Sequence, residues 1–324
     1  MRTLLLTLVL TCSSLPAAAA LFQDAALQRL FDQGKDDELL RESRSRSGPD
    51  GWVGQALAQA LPNDAAALAR AGQAAEQCVQ LHPQSAPCQV AQGVVLGVEA
   101  LRGGWLRGLG LLGRIRGAFE KAVALDPALF EARSHLQQLY LLVPGLVGGG
   151  RDRAEALERE IRERHPEQAR LLRARLASRD KRWEEAEREL AAIQMGDSLS
   201  FQNDVLQAWT TLSRQWMKAN DHARARARFE ALASQLPGLA QPVYLLGRVA
   251  ADAGEHEEAI KHYIRARTLL GAEALPLDHR IGLALEELGR KEAAREHLRR
   301  FLNDRHAAPN ALEDARKHLR ALEN

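Results

Sequence analysis

The chain has 324 residues, and its 44 Lys and Arg residues against 42 Asp and Glu residues give a formal net charge of only +2. Hydrophobic residues make up 46% and charged residues 27% of the chain, a balance that excludes a disordered protein. The small net charge argues against a protein that binds nucleic acid through a broad basic surface, so we expect no nucleic-acid partner. The abundance of Ala, Leu, Glu and Arg, with few β-branched residues, predicts an all-α fold.

Residues 1–20 have the three-part pattern of a secretory signal peptide. A short basic start is followed by an apolar run over residues 4–10, and Pro16 then precedes consecutive alanines. We therefore expect a periplasmic protein whose mature chain starts after residue 20. A membrane anchor is the alternative, but it needs about 20 apolar residues, more than this run offers. A lipoprotein would use Cys12, yet the residues before Cys12 lack the small side chain expected there.

Helical patterns follow the signal peptide. Residues 25–40, broken at Gly34, predict a divergent first hairpin. Further helical segments end at Pro83, Pro127 and Pro166, because proline cannot continue a helix interior. No segment beyond residue 20 has the uninterrupted apolar length of a membrane span, so we expect none in the mature chain.

Cys78 and Cys88 are the two cysteines of the mature chain. In an oxidising compartment an isolated pair predicts a disulfide, and closing so short a loop would stabilise the fold by about 3 kcal/mol. Two free buried thiols are the alternative. The sequence contains neither C-x-x-C nor C-x-x-C-H, so it indicates neither thioredoxin-like redox chemistry nor haem attachment, and we expect no cofactor.

A repeated pattern is clearest in the C-terminal third. Ala225 and Phe229 recur 34 residues later as Ala259 and Tyr263, and Ala294 follows after a further 35 residues. Small residues at such positions allow two helices to touch, and aromatic residues fill the space between hairpins. The residues that we expect to pack the repeats are Trp209, Leu212, Trp216, Ala225, Phe229, Leu246, Gly247, Ala259, Tyr263, Gly282 and Ala294.

This spacing of large, small and aromatic residues resembles the tetratricopeptide repeat (TPR), a helical hairpin that stacks on its neighbours. The resemblance implies an all-α superhelix of helical hairpins, an α-solenoid, over residues 21–302, with about seven hairpins that diverge at both ends. Residues 303–324 carry one apolar stripe and predict a C-terminal capping helix. The TPR register places Cys78 and Cys88 on neighbouring helices of adjacent units, which supports the disulfide.

Two segments exceed the length of the repeat, one near residues 98–114 and one near residues 142–150. The strings 119–127 and 140–154 resemble a group of secreted proteobacterial TPR proteins, which share a lengthened hairpin and a Pro-Gly-x-x-Gly-Gly-Gly loop. The resemblance implies no particular activity. The loop residues in this chain are Pro144, Gly145, Gly148, Gly149 and Gly150.

The two insertions each allow a structural and a functional interpretation. Glycines ahead of a helix can bind phosphate through backbone N–H groups. The P-loop ending Gly-Lys-Ser/Thr is absent, so we instead predict a tight inter-helix turn at residues 142–150. In the first insertion, Trp105 and four leucines interleave with arginines, and they either pack the hairpin or contact a membrane or a partner.

In TPR superhelices the first helix of each unit lines the concave groove. That register selects Gln207, Thr210, Arg214, Lys218, Gln241, Tyr244, Arg248 and Asp252. Arg214, Lys218 and Arg248 beside Tyr244 form a patch suited to an acidic peptide or a carboxylate terminus, unless these side chains merely face water. No H-E-x-x-H, G-x-S-x-G or clustered metal-ligand pattern occurs, so we expect no catalytic residue and no metal site.

We therefore expect a non-enzymatic periplasmic TPR scaffold whose groove binds an unidentified protein or peptide segment, for example from an envelope complex. The alternative is a small-ligand or lipid-binding periplasmic component of a transport or envelope system. Residues 101–117 discriminate between the two hypotheses. Apolar side chains that line an enclosed pocket there favour the ligand, and side chains that pack the hairpin favour the scaffold.

Overall fold

The computed structural model of the protein describes residues 20–60, 62 and 64–323. All of the predicted signal peptide before residue 20, with Cys12, lies outside the described residues. Within them the chain forms 17 α-helices, two short 3₁₀ turns and no β-strand. The helices are α1 Ala25–Asp32, α2 Asp36–Ser43, α3 Pro49–Ala60, α4 Ala65–Leu81, α5 Ala86–Arg102, α6 Gly104–Leu125, α7 Phe130–Leu142, α8 Arg151–Ile161, α9 Pro166–Arg179, α10 Trp183–Ala191, α11 Leu199–Lys218, α12 His222–Gln235, α13 Ala240–Asp252, α14 His256–Ala266, α15 Leu277–Glu287, α16 Lys291–Phe301 and α17 Pro309–Glu323. In this part of the chain no helix combines the length and apolar character that a membrane span needs.

Consecutive helices pair into hairpins, from α1–α2 to α15–α16, and α17 packs on the last pair. The second helix of a pair also contacts the first helix of the following pair, as α4 contacts α5 and α12 contacts α13. The hairpins therefore stack in chain order as an α-solenoid, which confirms the predicted fold class. The described residues contain eight such pairs, against about seven predicted, and α1–α2 is the divergent first hairpin expected over residues 25–40.

Local sequence explains where many of these helices begin and end. The side chains of Asp64, Ser85 and Ser198 accept hydrogen bonds from backbone N–H groups in the first turns of α4, α5 and α11. Gly254 and Gly289 have φ angles of 80° and 71°, in the left-handed region, where the chain reverses between the two helices of a hairpin. These caps set the hairpin lengths and so the register in which neighbouring units meet.

The residues predicted to pack the repeats all lie in the interior. A Cβ on Gly247 of α13 would lie 2.5 Å from Cε1 of Tyr263 on α14. The same contact recurs in an earlier unit, where a Cβ on Gly93 of α5 would lie 2.5 Å from Cε1 of Phe119 on α6. Glycine at this position lets an aromatic ring of the second helix pack on the backbone of the first.

We expect Gly247→Ala to lower the free energy of unfolding by about 1–3 kcal/mol, because the new methyl group overlaps the Tyr263 ring. Gly72→Ala in α4 is the matched control, since no neighbouring atom lies within 4 Å of a Cβ placed there. Alanine at residue 72 should stabilise the fold by about 0.5–1 kcal/mol through its higher helix propensity. Urea unfolding followed by circular dichroism measures both variants, and equal effects would contradict the packing role of Gly247.

A disulfide joins Cys78 of α4 to Cys88 of α5, whose Cα atoms lie 5.4 Å apart. The predicted pair is therefore present, and the alternative of two free thiols is set aside. Both residues are fully buried. Because α4 and α5 belong to different hairpins, the bond ties the N-terminal units to the rest of the solenoid.

The first hairpin contacts the segment between α16 and α17, so the two ends of the solenoid meet. Nη2 of Arg305 lies 2.9 Å from Oδ2 of Asp37, and Nδ1 of His306 lies 3.9 Å from Oδ2 of Asp36. Asp36 is buried, and burial raises the pKa of its carboxyl group although His306 and Arg305 pull that pKa down. The described chain thus closes on itself instead of ending as an open coil.

The insertion near residues 98–114 lengthens both helices of a hairpin and adds no loop. Helices α5 and α6 continue to a turn at Gly103 and Gly104, and α6 reaches 22 residues whereas α14 has 11. The hairpin is therefore longer than its neighbours by about one to two helical turns in each helix.

The insertion near residues 142–150 is a compact turn between α7 and α8. A 3₁₀ turn, Gly145–Val147, leads into Gly148 and Gly150, whose φ angles are 92° and 110°. A Cβ on Gly149 would lie 1.9 Å from the carbonyl oxygen of Val143. These conformations and this close approach require glycine, which is the physical reason for the glycine run.

Candidate functional site

The groove positions selected by the repeat register lie on α11 and α13, and they differ in exposure. Gln207, Arg214, Lys218 and Asp252 are exposed, whereas Thr210, Gln241 and Arg248 are half-buried. Tyr244 is only 7% exposed, and its ring centroid lies 5.7 Å from that of Tyr263. The ring of Tyr244 packs inside the hairpin. This corrects the prediction that Tyr244 offers an aromatic face to a ligand.

Three of the residues predicted for the groove are cations with no acidic partner among the described residues. The side chains of Arg214, Lys218 and Arg248 form no ion pair and no hydrogen bond with any residue that the structure describes. By contrast, Arg224 on the second helix α12 pairs with Glu187 of α10. An unpaired cation gains a charge-assisted hydrogen bond when a carboxylate binds, so this side of α11 and α13 suits an acidic segment.

Two other predicted groove residues make internal contacts. Oδ2 of Asp252 lies 2.9 Å from Nε2 of His222 on α12. The Thr210 hydroxyl donates a hydrogen bond of 2.8 Å to the backbone oxygen of Leu206. The one predicted groove acid is therefore already tied to a neighbouring side chain, and the cations dominate the charge of this surface.

Arg280 on α15 joins these cations, although the repeat register does not select it. Its Nε is buried with no hydrogen-bond partner among the described residues, and so is the hydroxyl of Tyr263. Burial raises the pKa of Tyr263, while the positive charges of Arg280 and Arg248 act in the opposite direction. The repeat position occupied by Tyr244 is occupied by His279 in the next unit. The repeat register therefore does not select Arg280 as a groove residue.

A second polar cluster, which sequence reasoning missed, lies where α7, α9 and α11 meet. The Ser134 hydroxyl donates a hydrogen bond to the Asp204 carboxylate. Arg175 donates to both, at 2.8 Å to Oγ of Ser134 and 2.9 Å to Oδ2 of Asp204. Because Arg175 neutralises the carboxylate, the cluster holds three units together and does not activate the serine. Helix α7 lacks the tryptophan that marks the register in α11, so its inward positions were not selected.

Two titratable groups on α7 lie beside this cluster. Burial raises the pKa of Glu131, whose carboxyl group also accepts a hydrogen bond from Ser200. His135 stacks on Phe119, with ring centroids 5.3 Å apart, and burial lowers its pKa. Both shifts favour the uncharged form of these side chains.

Residues 101–117 match neither of the two outcomes set out for them. Ile115 is buried in the hairpin, but Leu101, Trp105 and Leu106 at the tip are exposed. Two open pockets of 510 and 460 Å³ lie elsewhere, one beside Asp278 and His306 and one beside His82, and neither includes a predicted groove residue. Among the described residues no group of three or more His, Cys, Asp or Glu side chains is arranged to hold a metal ion.

Comparison with known proteins agrees with the hairpin architecture. Residues 279–305 match the family model of the tetratricopeptide repeat. A tetratricopeptide repeat protein from Parabacteroides merdae is 14% identical, with a match that covers 89% of this chain and 99% of that one, at a TM-score of 0.50. The fold is a TPR superhelix. The human IFIT1 dimer with PPP-AAAA is also similar, at 15% identity over 92% of this chain and 70% of that one, with a TM-score of 0.51.

No curated protein matches the sequence. At identities of 14% and 15%, the likeness between the TPR superhelices concerns the fold alone. The groove of this TPR superhelix must therefore be interpreted from its own side chains, of which the unpaired cations on α11 and α13 are the most distinctive.

Proposed function

We propose that the protein is a non-enzymatic TPR scaffold whose concave groove binds an acidic segment of a partner protein. The observation that carries this proposal is that Arg214, Lys218 and Arg248, on the first helices of adjacent units, have no acidic partner among the described residues. A hydrogen bond to a charged group contributes about 1.5–3 kcal/mol, so two or three such contacts support specific binding.

We also propose that the protein works in the periplasm, with a partner in an envelope complex. The secretory pattern of residues 1–20 supports this location. The disulfide between Cys78 and Cys88 supports it too, because disulfides persist in oxidising compartments.

The small-ligand or lipid-binding alternative has less support. It required apolar side chains of residues 101–117 to line an enclosed pocket, and Leu101, Trp105 and Leu106 face solvent instead. The preference for the scaffold rests instead on Arg214, Lys218 and Arg248, which have no acidic partner among the described residues.

Reversing two groove charges tests the proposal. We expect Arg214→Glu combined with Arg248→Glu to weaken the binding of a fluorescein-labelled deca-glutamate peptide by about 100-fold, because two attractive contacts become repulsive. Fluorescence anisotropy measures the affinity at low and at physiological salt. The matched control is Arg188→Glu combined with Arg265→Glu, which changes the net charge equally at exposed residues of the second helices α10 and α14.

The control variant should bind the peptide within about twofold of the unmodified chain once physiological salt screens distant charges. If the groove variant binds as tightly as the unmodified chain, the groove assignment is wrong. If both variants weaken binding equally, the peptide responds to overall charge and the assignment fails as well. In cells, crosslinking with mass spectrometry then compares the proteins captured by the two variants.

A further inference from the structure

The two insertions carry most of the large hydrophobic side chains that are exposed in the described part of the chain. Nine large hydrophobic side chains are exposed among the described residues, and seven of these nine lie in or beside the insertions. We call these seven the apolar edge: Leu101, Trp105, Leu106, Leu109, Leu142, Leu146 and Val147. Scattered exposed leucines are ordinary in soluble proteins, but a concentration of this kind marks an interaction surface.

The apolar edge belongs to one side of the solenoid. Both insertions lie at the turn between the first and second helix of a hairpin, in the neighbouring pairs α5–α6 and α7–α8. Nη1 of Arg116 on α6 donates a hydrogen bond of 3.3 Å to the backbone oxygen of Val147, which ties the second insertion to the first hairpin. The second insertion therefore lies on the same side of the solenoid as the hairpin tip, with Arg116 about 16 Å along α6 from Trp105.

Three strongly exposed members of the apolar edge surround the tip of the α5–α6 hairpin. Leu101 is 82% exposed, Trp105 is 77% exposed and Leu106 is 82% exposed, and the turn at Gly103 and Gly104 separates Leu101 from the other two. Packing within the hairpin would bury such side chains, and it does bury Ile115 farther along α6. The tip thus holds its bulkiest apolar groups in water without any packing gain for the fold.

The charge around the apolar edge is positive. Residues 98–117 contain four arginines and one glutamate, a net charge of +3, whereas residues 142–150 contain no charged residue. Arg107 pairs with that glutamate, Glu99. Arg114 lies one turn below the exposed leucines and is itself exposed. Tryptophan and leucine side chains suit the apolar boundary of a lipid surface, and the arginines next to them suit its anionic headgroups.

We propose that the apolar edge docks the protein on an anionic membrane surface. A narrow two-helix tip offers little of the area that a stable protein interface buries, which is about 800 Å² on each partner. A lipid surface needs no complementary shape, and it accepts a protruding Trp and Leu cluster to a depth of about 5–10 Å. Positive charge beside the cluster then adds attraction that depends on lipid charge and salt.

Co-sedimentation with vesicles tests the proposal in the full chain. We expect the chain to bind vesicles of phosphatidylglycerol and phosphatidylethanolamine at least about tenfold better than phosphatidylcholine vesicles, with the preference shrinking as salt rises. An edge variant carries Leu101→Ser, Trp105→Ser and Leu106→Ser, and it should bind anionic vesicles about tenfold more weakly or worse. The matched control carries Leu81→Ser and Ile264→Ser, two exposed apolar residues outside the edge, and it should bind as the unmodified chain does.

Because residues 4–10 are also apolar, a second readout reports on the edge itself. Brominated lipids should quench tryptophan fluorescence in the unmodified chain, and Trp105→Phe should remove that quenching. The proposal is overturned if the edge variant binds vesicles as well as the control does, or if Trp105→Phe leaves the quenching unchanged. It is also overturned if the edge variant loses self-association in light scattering while its vesicle binding stays the same, since the edge would then join two copies of the chain.

Discussion

Replacing Trp209 with alanine should lower the free energy of unfolding by about 3–5 kcal/mol, the usual range for a large aromatic side chain removed from a core. Trp209 is 1% exposed in α11 and belongs to the largest apolar cluster of the described chain. Its ring centroid lies 6.1 Å from that of Trp216, and the guanidinium of Arg228 stacks 4.4 Å above it. Alanine would remove the contacts on both sides and leave a cavity between units.

The position of Trp209 gives this loss a second consequence. In a solenoid each unit is stabilised mainly by its neighbours, so a weakened central unit uncouples the two flanking segments. We expect the unfolding of Trp209→Ala to separate into two transitions in calorimetry. The matched control is Trp105→Ala, because Trp105 is exposed at the hairpin tip and its loss should change stability by less than about 0.5 kcal/mol. If the two alanine variants unfold alike, Trp209 does not hold the central units together.

Removing the disulfide should have the next largest effect on stability. The bond between Cys78 and Cys88 closes a loop with a sequence separation of 10, and its loss should lower the free energy of unfolding by about 3 kcal/mol. The double variant Cys78→Ser and Cys88→Ser tests this expectation by urea unfolding. Its effect should fall mainly on the N-terminal hairpins, because the bond joins α4 to α5.

A reducing agent provides the control for this variant. Reductant should shift the unfolding midpoint of the unmodified chain toward that of the double variant, and it should leave the double variant unchanged. If the unfolding midpoint of the unmodified chain stays the same under conditions in which the reductant breaks the disulfide, the disulfide does not stabilise the fold.

The architecture was predictable where the packing demands particular residue types. Gly247 and Tyr263 illustrate why. Residue 247 has no room for a side chain, and the Tyr263 ring fills the space above its backbone, so the two residue types can be recognised in the sequence at a fixed spacing. Helix α7 is different, because Arg133 and Gln137 occupy its buried face and hydrogen-bond to backbone carbonyls of α8 and α9. Such polar packing follows no apolar period, and the cluster at Ser134 was therefore not predicted.

The candidate site was predictable only in part. The register selects positions on a helix, so it located Arg214, Lys218 and Arg248. It does not say how far another helix covers a position, and Tyr244 is buried with the Tyr263 ring of α14, in the same hairpin, packed beside it. The exposure of Trp105 could not be predicted from the sequence either, because an apolar residue in a helical pattern is usually buried. Trp105 lies in solvent because α6 is long enough to carry it beyond the neighbouring helices.

The meeting of the two ends constrains how this protein can evolve. Open solenoids grow when a unit is duplicated, because each unit needs only its immediate neighbours. Here an added hairpin would carry Arg305 past Asp37 and separate α2 from the segment after α16. We therefore expect an added hairpin to break this contact between the ends, whereas substitutions and changes in the inter-helix turns can leave it in place.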